Sequence, residues 1–332
     1  MSASPPIYLN EVPAGHARAL VAGGAPVYVL LNPVEYHGPH LSLSNDRYIS
    51  RALMARIHQA LEARGEGGPL LLADDIPMGV EPCPGPGSVH ESFQAVRTRL
   101  LAACERVADL GAERVVILTF HGSPLHNLAV EAGVKALRAR GIPAFAPLHA
   151  VIDRLLELDP ELVEACVQSV EPAERGALEA SLAHDYHGGF VETSLALALC
   201  PEAVSPKLSE VPPCPPIQPR RVLLGAATVA ARLGAARLSE ELRFAAHITG
   251  WTDLRPFPGY TGRPHLANAA AGKILVERVL ELVMPALEAT LFEGAAPPRP
   301  LMPWLEAYSL GGRLPSVSVP LDAVAAPGWD AP

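Results

Sequence analysis

The chain has 332 residues, 49% of them hydrophobic, five cysteines and a formal net charge of −9. That length suffices for one large α/β domain or two modest ones, with a core that needs no disulfide or structural zinc. The negative charge and the shortness of basic runs such as Arg220 and Arg221 argue against nucleic acid or an anionic membrane as partner. The cysteines form no CxxC pair, MSASPPIYLNEV has no charged segment leading an apolar one, and no run spans a bilayer, so a soluble cytoplasmic protein is expected.

In chain order, APVYVLLNP (25–33) predicts a buried strand closed by proline. RYISRALMARIHQALEARG, directly after Asp46, predicts a helix stopped by Gly65. GPLLLADDIP (68–77) predicts a second strand and MGVEPCPGPG (78–87) a loop. Residues 88–111 read as a long amphipathic helix, ERVVILTF (113–120) as the clearest strand, HNLAVEAGVKALRARG (126–141) as the next helix and IPAFAPL (142–148) as another strand. Residues 150–182 are helical and acidic, 201–219 a Pro-rich loop, and helical patterns resume at 222–237 and 264–290. Beyond Ala295 the composition turns Pro/Gly-rich without a period, which predicts a domain over 1–295 and an irregular arm over 296–332. Alternating strands and helices predict an α/β fold, with helices on both faces of a mostly parallel central sheet.

Parallel sheets bind ligands at the carboxyl ends of their strands. The strand at 25–33 runs into Glu35, His37 and His40, with Asp46 soon after; the strand at 113–120 runs into His121, with His126 and Asn127 behind it. A third cluster, HDYHGGFVETS, carries His184, Asp185, His187 and Glu192. Imidazole and carboxylate together suit Zn²⁺, Mn²⁺ or Fe²⁺, and the clusters supply the roughly six ligands that two ions sharing a carboxylate need. Each residue also has an ordinary reading. Asp46 could cap a helix, Asp185 could shape a turn, Glu192 could open a helix, and any single histidine could be a hydrogen-bonding residue. Three such clusters, two of them at predicted strand ends, favour the metal reading over packing.

These segments resemble the creatininase (creatinine amidohydrolase) family. VEYHGPHLSLSND is similar to its E-Q-H-G-P-H-L-P-L-x-T-D signature, and TFHGSPLHN stands where the family has N-G-H-G-G-N. DYHGGFVETS is similar to D-x-H-A-G-x-x-E-T-S, and residues 256–273 resemble the later G-x-x-G-x-P-x-x-A-s-x-x-x-G segment. The resemblance implies a three-layer α/β/α fold, a homo-oligomer that is frequently a hexamer, and a hydrolytic site holding two divalent ions. Carried over by position, it implies Glu35, Asp46 and His121 around one ion and His37 and Asp46 around the second, with Asp46 bridging. Ser123 stands where creatininase proper has a glutamate ligand, which makes Glu192 the replacement. His187 matches the catalytic histidine, His40 and Asp185 become partners that orient ligands, and His126 is a reserve ligand.

The activity implied is attack of a metal-activated water on a C–N bond, an amide or cyclic amide of a small substrate. A peptidase that trims a modified peptide is the alternative within the family. A scaffold protein that kept the fold and lost catalysis is the alternative from another class. Tyr36, Asn45 and the segment after Gly122 depart from the family pattern. Residues 150–186 hold no tryptophan, where creatininase proper keeps those around its substrate, so creatinine is not the expected substrate.

Overall fold

The computed structural model describes residues 5–157, 160–314 and 319–324. The strands are β1 (Ile7–Tyr8), β2 (Val27–Leu31), β3 (Leu71–Ile76), β4 (Val115–Leu118) and β5 (Ala144–Phe145). They form one sheet in the order β1-β3-β2-β4-β5, with every pairing parallel. The helices are α1 (Ala14–Val21), α2 (Asn45–Glu62), α3 (Phe93–Leu110), α4 (Pro124–Ala139), α5 (Pro147–Glu157), α6 (Pro160–Gln168), α7 (Arg175–Leu182), α8 (Phe190–Leu199), α9 (Arg221–Arg232), α10 (Ala236–Trp251), α11 (Ala269–Leu291) and α12 (Leu305–Tyr308).

Side chains alternate across a strand, and this sheet is covered on both sides, so β2 and β4 are apolar throughout. Tyr28 and Leu30 of β2, with Leu72, Val116, Leu118 and Phe145, join a core built with α2, α5, α8 and α11. Val27, Val29 and Leu31, with Leu71, Val115, Ile117 and Ala144, face the other way into a core with α1, α3 and α4. The result is the three-layer α/β/α arrangement that the sequence leads one to expect.

Some boundaries differ from the sequence reading. The helix expected from residue 88 begins at Phe93, because Ser92 caps it by accepting from the Ala95 N–H. The strand expected over 142–148 is cut to two residues, since Pro147 opens α5. Most of α10 lay outside the expected helices: its buried residues include Ser239, Glu241 and Gly250, so its inner face carries little apolar periodicity. Among the described residues no helix is long and apolar enough to cross a membrane.

The described part of the segment after Ala295 lies on its own chain. Leu301 and Met302 enter the larger core. The carboxylate of Glu241 on α10 accepts from the Met302 N–H at 3.0 Å and from Trp304 Nε1 at 2.7 Å. Farther along, Gln94 Nε2 donates to the Gly311 carbonyl at 2.6 Å.

Candidate metal centre

β2 ends at Leu31, and the next residue, fully buried Asn32, ties three elements together. Its Oδ1 accepts from Ser50 Oγ of α2 and from the Phe120 N–H just past β4, both at 2.9 Å. The loop after Asn32 carries Glu35 and His37 inward, both about 1% exposed. It turns at Gly38, whose φ of 73° suits glycine and whose absent Cβ would sit 2.6 Å from the Tyr260 ring. Asp46 lies in the first turn of α2, where the cap position belongs to Ser44, and its carboxylate serves the site rather than the helix end.

His37 Nδ1 donates to the Glu35 carbonyl at 3.1 Å. Its Nε2 therefore faces Asp46 Oδ1 at 3.1 Å, Glu192 Oε1 at 3.1 Å and Glu35 Oε1 at 3.6 Å. His121 mirrors this arrangement. Its Nε2 donates to the Val80 carbonyl at 2.9 Å, and its Nδ1 faces Glu35 Oε1 at 2.7 Å and Asp46 Oδ2 at 3.6 Å. Asp46 thus turns one oxygen to each imidazole. Donor atoms within 4.8 Å of one another form three groups: Glu35, Asp46 and His121; His37, Asp46 and Glu192; and Glu35, His37 and His187.

This donor set fits divalent cations. Each imidazole spends a proton on a backbone carbonyl, which leaves the other nitrogen as a lone pair aimed at carboxylate oxygens. Glu35 Oε1 and Asp46 Oδ2 are buried yet make no hydrogen bond of acceptable geometry. Lone pairs and anionic oxygens crowd together in this way around positive charge.

Without a metal charge to face them, both imidazoles are drawn toward the doubly protonated form. Burial disfavours that form at His121, but Glu35 and Asp46 lift its pKa to about 9. Burial likewise opposes it at His37, where Glu192, Asp46 and Glu35 raise the pKa well above the ordinary value. Burial also opposes ionisation of Glu35 and Glu192; His121 and His37 still hold Glu35 well below the usual carboxylate range, and His37 takes Glu192 to about 2. Two imidazolium charges leave the third carboxylate uncompensated, and burial and Glu35 push Asp46 up to about 8 despite His37.

The third cluster is built by the start of α8. The Asp185 carboxylate accepts from the Phe190 and Val191 N–H groups at 2.7 and 3.1 Å, capping the helix. A Cβ on Gly189 would lie 2.5 Å from that carboxylate. The cap places Glu192 in the first turn, where Oε2 accepts from the Gly188 N–H at 2.6 Å and Oε1 from Asn45 Nδ2 at 2.7 Å. His187 Nε2 donates to the Tyr36 carbonyl at 2.9 Å, and its ring stacks on His37 with centroids 4.3 Å apart. Burial and the nearby His37 lower its pKa, which keeps it neutral beside the donor groups.

The family described as "Creatininase: Creatinine amidohydrolase" matches residues 14–287. The chain belongs to the creatininase family. It is similar to the mycofactocin precursor peptide peptidase of Mycobacterium ulcerans (strain Agy99), 28% identical over 202 residues, which cover 59% of this chain and 67% of that protein. Among solved structures it is similar to "Creatininase Mn", with a TM-score of 0.55 and 19% identity over 87% of this chain and all of that one. A Zn-Zn type mutant creatininase gives a TM-score of 0.54 and 18% identity over 87% and 100% of the two chains. These structural likenesses establish a shared fold.

Other residues of this creatininase-family chain surround the donor groups without joining them. His40 Nε2 contacts the Gly188 carbonyl at 2.9 Å and Thr193 Oγ1 at 3.1 Å, so it braces the His187 loop and stays outside the donor groups. His126 is also outside them: its Nδ1 accepts from the Val80 N–H and its Nε2 pairs with Thr119 Oγ1. His184 stacks on His247, with ring centroids 4.0 Å apart. Sequence reasoning missed the Val80 carbonyl and the Cys83 N–H, which donates to Glu35 Oε2 at 2.6 Å, because backbone groups leave no signature in residue type. It also missed Trp251, which α10 brings to 5.4 Å from the His187 ring. A cavity of about 390 Å³ opens beside Val80, walled by the start of α3, Leu125 and residues Gly312 to Leu314.

Proposed function

We propose that this creatininase-family protein is a two-metal amidohydrolase that cleaves the C–N bond of a small amide. Glu35, Asp46 and His121 would hold one ion and His37, Asp46 and Glu192 the other, with Asp46 shared. When bound, such ions act as Lewis acids toward a carbonyl oxygen and lower the pKa of water. The observation that carries the reading is the pair of imidazoles, each with its proton fixed on a backbone carbonyl and its free nitrogen among carboxylates.

The chain's own residues supply the rest. The Val80 carbonyl and the Cys83 N–H hold His121 and Glu35 in orientation. Asn45 and Gly188 fix the two oxygens of Glu192. His187, neutral and stacked on His37, would take a proton and deliver it to the departing nitrogen. The peptidase relative favours a peptide amide as a second substrate class. Mn²⁺ and Zn²⁺ are the ions to test first, since similar solved creatininases are described with them.

Elemental analysis of protein purified without chelator tests the reading. Close to two divalent ions per chain are expected, and Asp46→Ala should lose both because both donor sets use it. A content near zero that added Mn²⁺ or Zn²⁺ does not restore would overturn the proposal.

A further inference from the structure

Between Val80 and Cys83, the two residues whose backbones brace the site, stands Glu81. Its φ is 55°, a left-handed conformation that side chains other than glycine adopt at a cost; among the described residues Met302 and Leu310 share that feature. Strain of this kind collects where the surroundings impose a geometry for function. Its Oε2 accepts from Ser123 Oγ at 2.8 Å, which aims the carboxylate at the segment just after His121 and within electrostatic reach of that imidazole.

Two contrasts separate Glu81 from the other carboxylates here. Glu35 and Asp46 are sealed, whereas Glu81 keeps partial access to solvent. Glu35, Asp46 and Glu192 belong to the donor groups, whereas Glu81 belongs to none and, among the described residues, pairs with no lysine or arginine. Burial raises the pKa of Glu81, while Ser123 and the nearby His121 favour its charged form, and a fixed carboxylate beside the donor groups with no lysine or arginine partner complements a cation.

We propose that Glu81 is the recognition residue of this site for a substrate that carries a cationic nitrogen, an ammonium or guanidinium group, close to the scissile C–N bond. The inference rests on the amidohydrolase reading and names its substrate class. Glu81 acts in binding: it offers one oxygen to the cation while Ser123 holds the other. Neutral amides of the same shape then bind less well.

Calorimetric titration of metal-loaded protein with matched primary amides tests this. Glycinamide pairs with propionamide and 4-aminobutyramide with pentanamide, each pair differing by an ammonium in place of a methyl. The ammonium member of at least one pair should bind about tenfold or more tightly, the usual size of a charge-assisted hydrogen bond. Glu81→Gln should bring the pair within about twofold while metal content and the affinity for the neutral member hold. Ser123→Ala, which keeps the carboxylate and removes its anchor, should lose part of the preference and carries the test if Glu81→Gln does not fold. Equal affinity within both pairs in the unaltered protein, no binding at all, a preference that survives Glu81→Gln, or loss of an ion in Glu81→Gln would each overturn the inference. A protein that takes up no metal counts against the amidohydrolase reading instead.

Discussion

His187 and Glu192 stand five positions apart and meet the same imidazole, His37, in different ways. Glu192 offers it an oxygen, whereas His187 offers it a ring face. Glu192→Gln replaces a charged oxygen donor with a neutral one and should lower metal affinity and turnover together. If the two-metal proposal holds, His187→Ala should keep both ions and lose roughly 10²–10⁴-fold in kcat, the ordinary reach of a general acid–base group. Metal content measured beside steady-state kinetics separates the two; an ion lost from His187→Ala alone would move His187 into the ligand set, where its proximity to Glu35 and His37 already permits it. At this scale the residue types were legible, because imidazoles and carboxylates at strand ends are rare without a reason. Their orientation was not, since it depends on which backbone carbonyl takes each ring proton.

α8 shows how a short helix can govern chemistry. Its start is held by the Asp185 carboxylate, half-buried and pushed up to about 7 by desolvation even though Val191 and Phe190 donate to it. Asp185→Ala frees those two N–H groups and should cost about 1–2 kcal/mol in denaturant titration. Because Glu192 rides on that first turn, on the two-metal proposal the ion assigned to His37, Asp46 and Glu192 should bind more weakly, while the one assigned to Glu35, Asp46 and His121 stays. Asp185→Asn, which keeps an acceptor, should do less of both, and equal weakening of the two ions would rule this route out. The strands and helices over 25–141 were legible because their apolar periods are strong. α10 was not, because Ser239, Glu241 and Gly250 on its buried side carry no hydrophobic signal.

Across the whole molecule the site makes stability and metal uptake depend on pH in opposite senses. In the metal-free fold His121 holds its proton to about 9 against an ordinary 6.5, so its contribution is complete below 6.5 and lost as pH rises to 9. Asp46 acts in the same sense between 3.8 and about 8, since the folded chain retains a proton the unfolded chain gives up. Glu192 acts oppositely, contributing above 4.5 and failing as pH falls toward 2. Metal must displace the retained protons, so affinity should climb from pH 6.5 to 9. Calorimetry in two buffers of different ionisation heat should register proton release near pH 7.5, and the melting temperature of metal-free protein should fall across the same window. A flat affinity profile would mean that the imidazoles are already neutral before metal arrives.

The family match ends at Leu287, yet the cavity beside Val80 is walled in part by Gly312 to Leu314. Glu241 fastens the approach to that wall, and the same helix carries Trp251 against His187. The matched span therefore holds every candidate donor, while part of that cavity's wall lies beyond it. Two members of the family could have identical motifs and still admit different molecules. A chimera that joined residues 1–287 of this protein to a relative's tail would keep the candidate donors and lose the part of the cavity wall formed by Gly312 to Leu314.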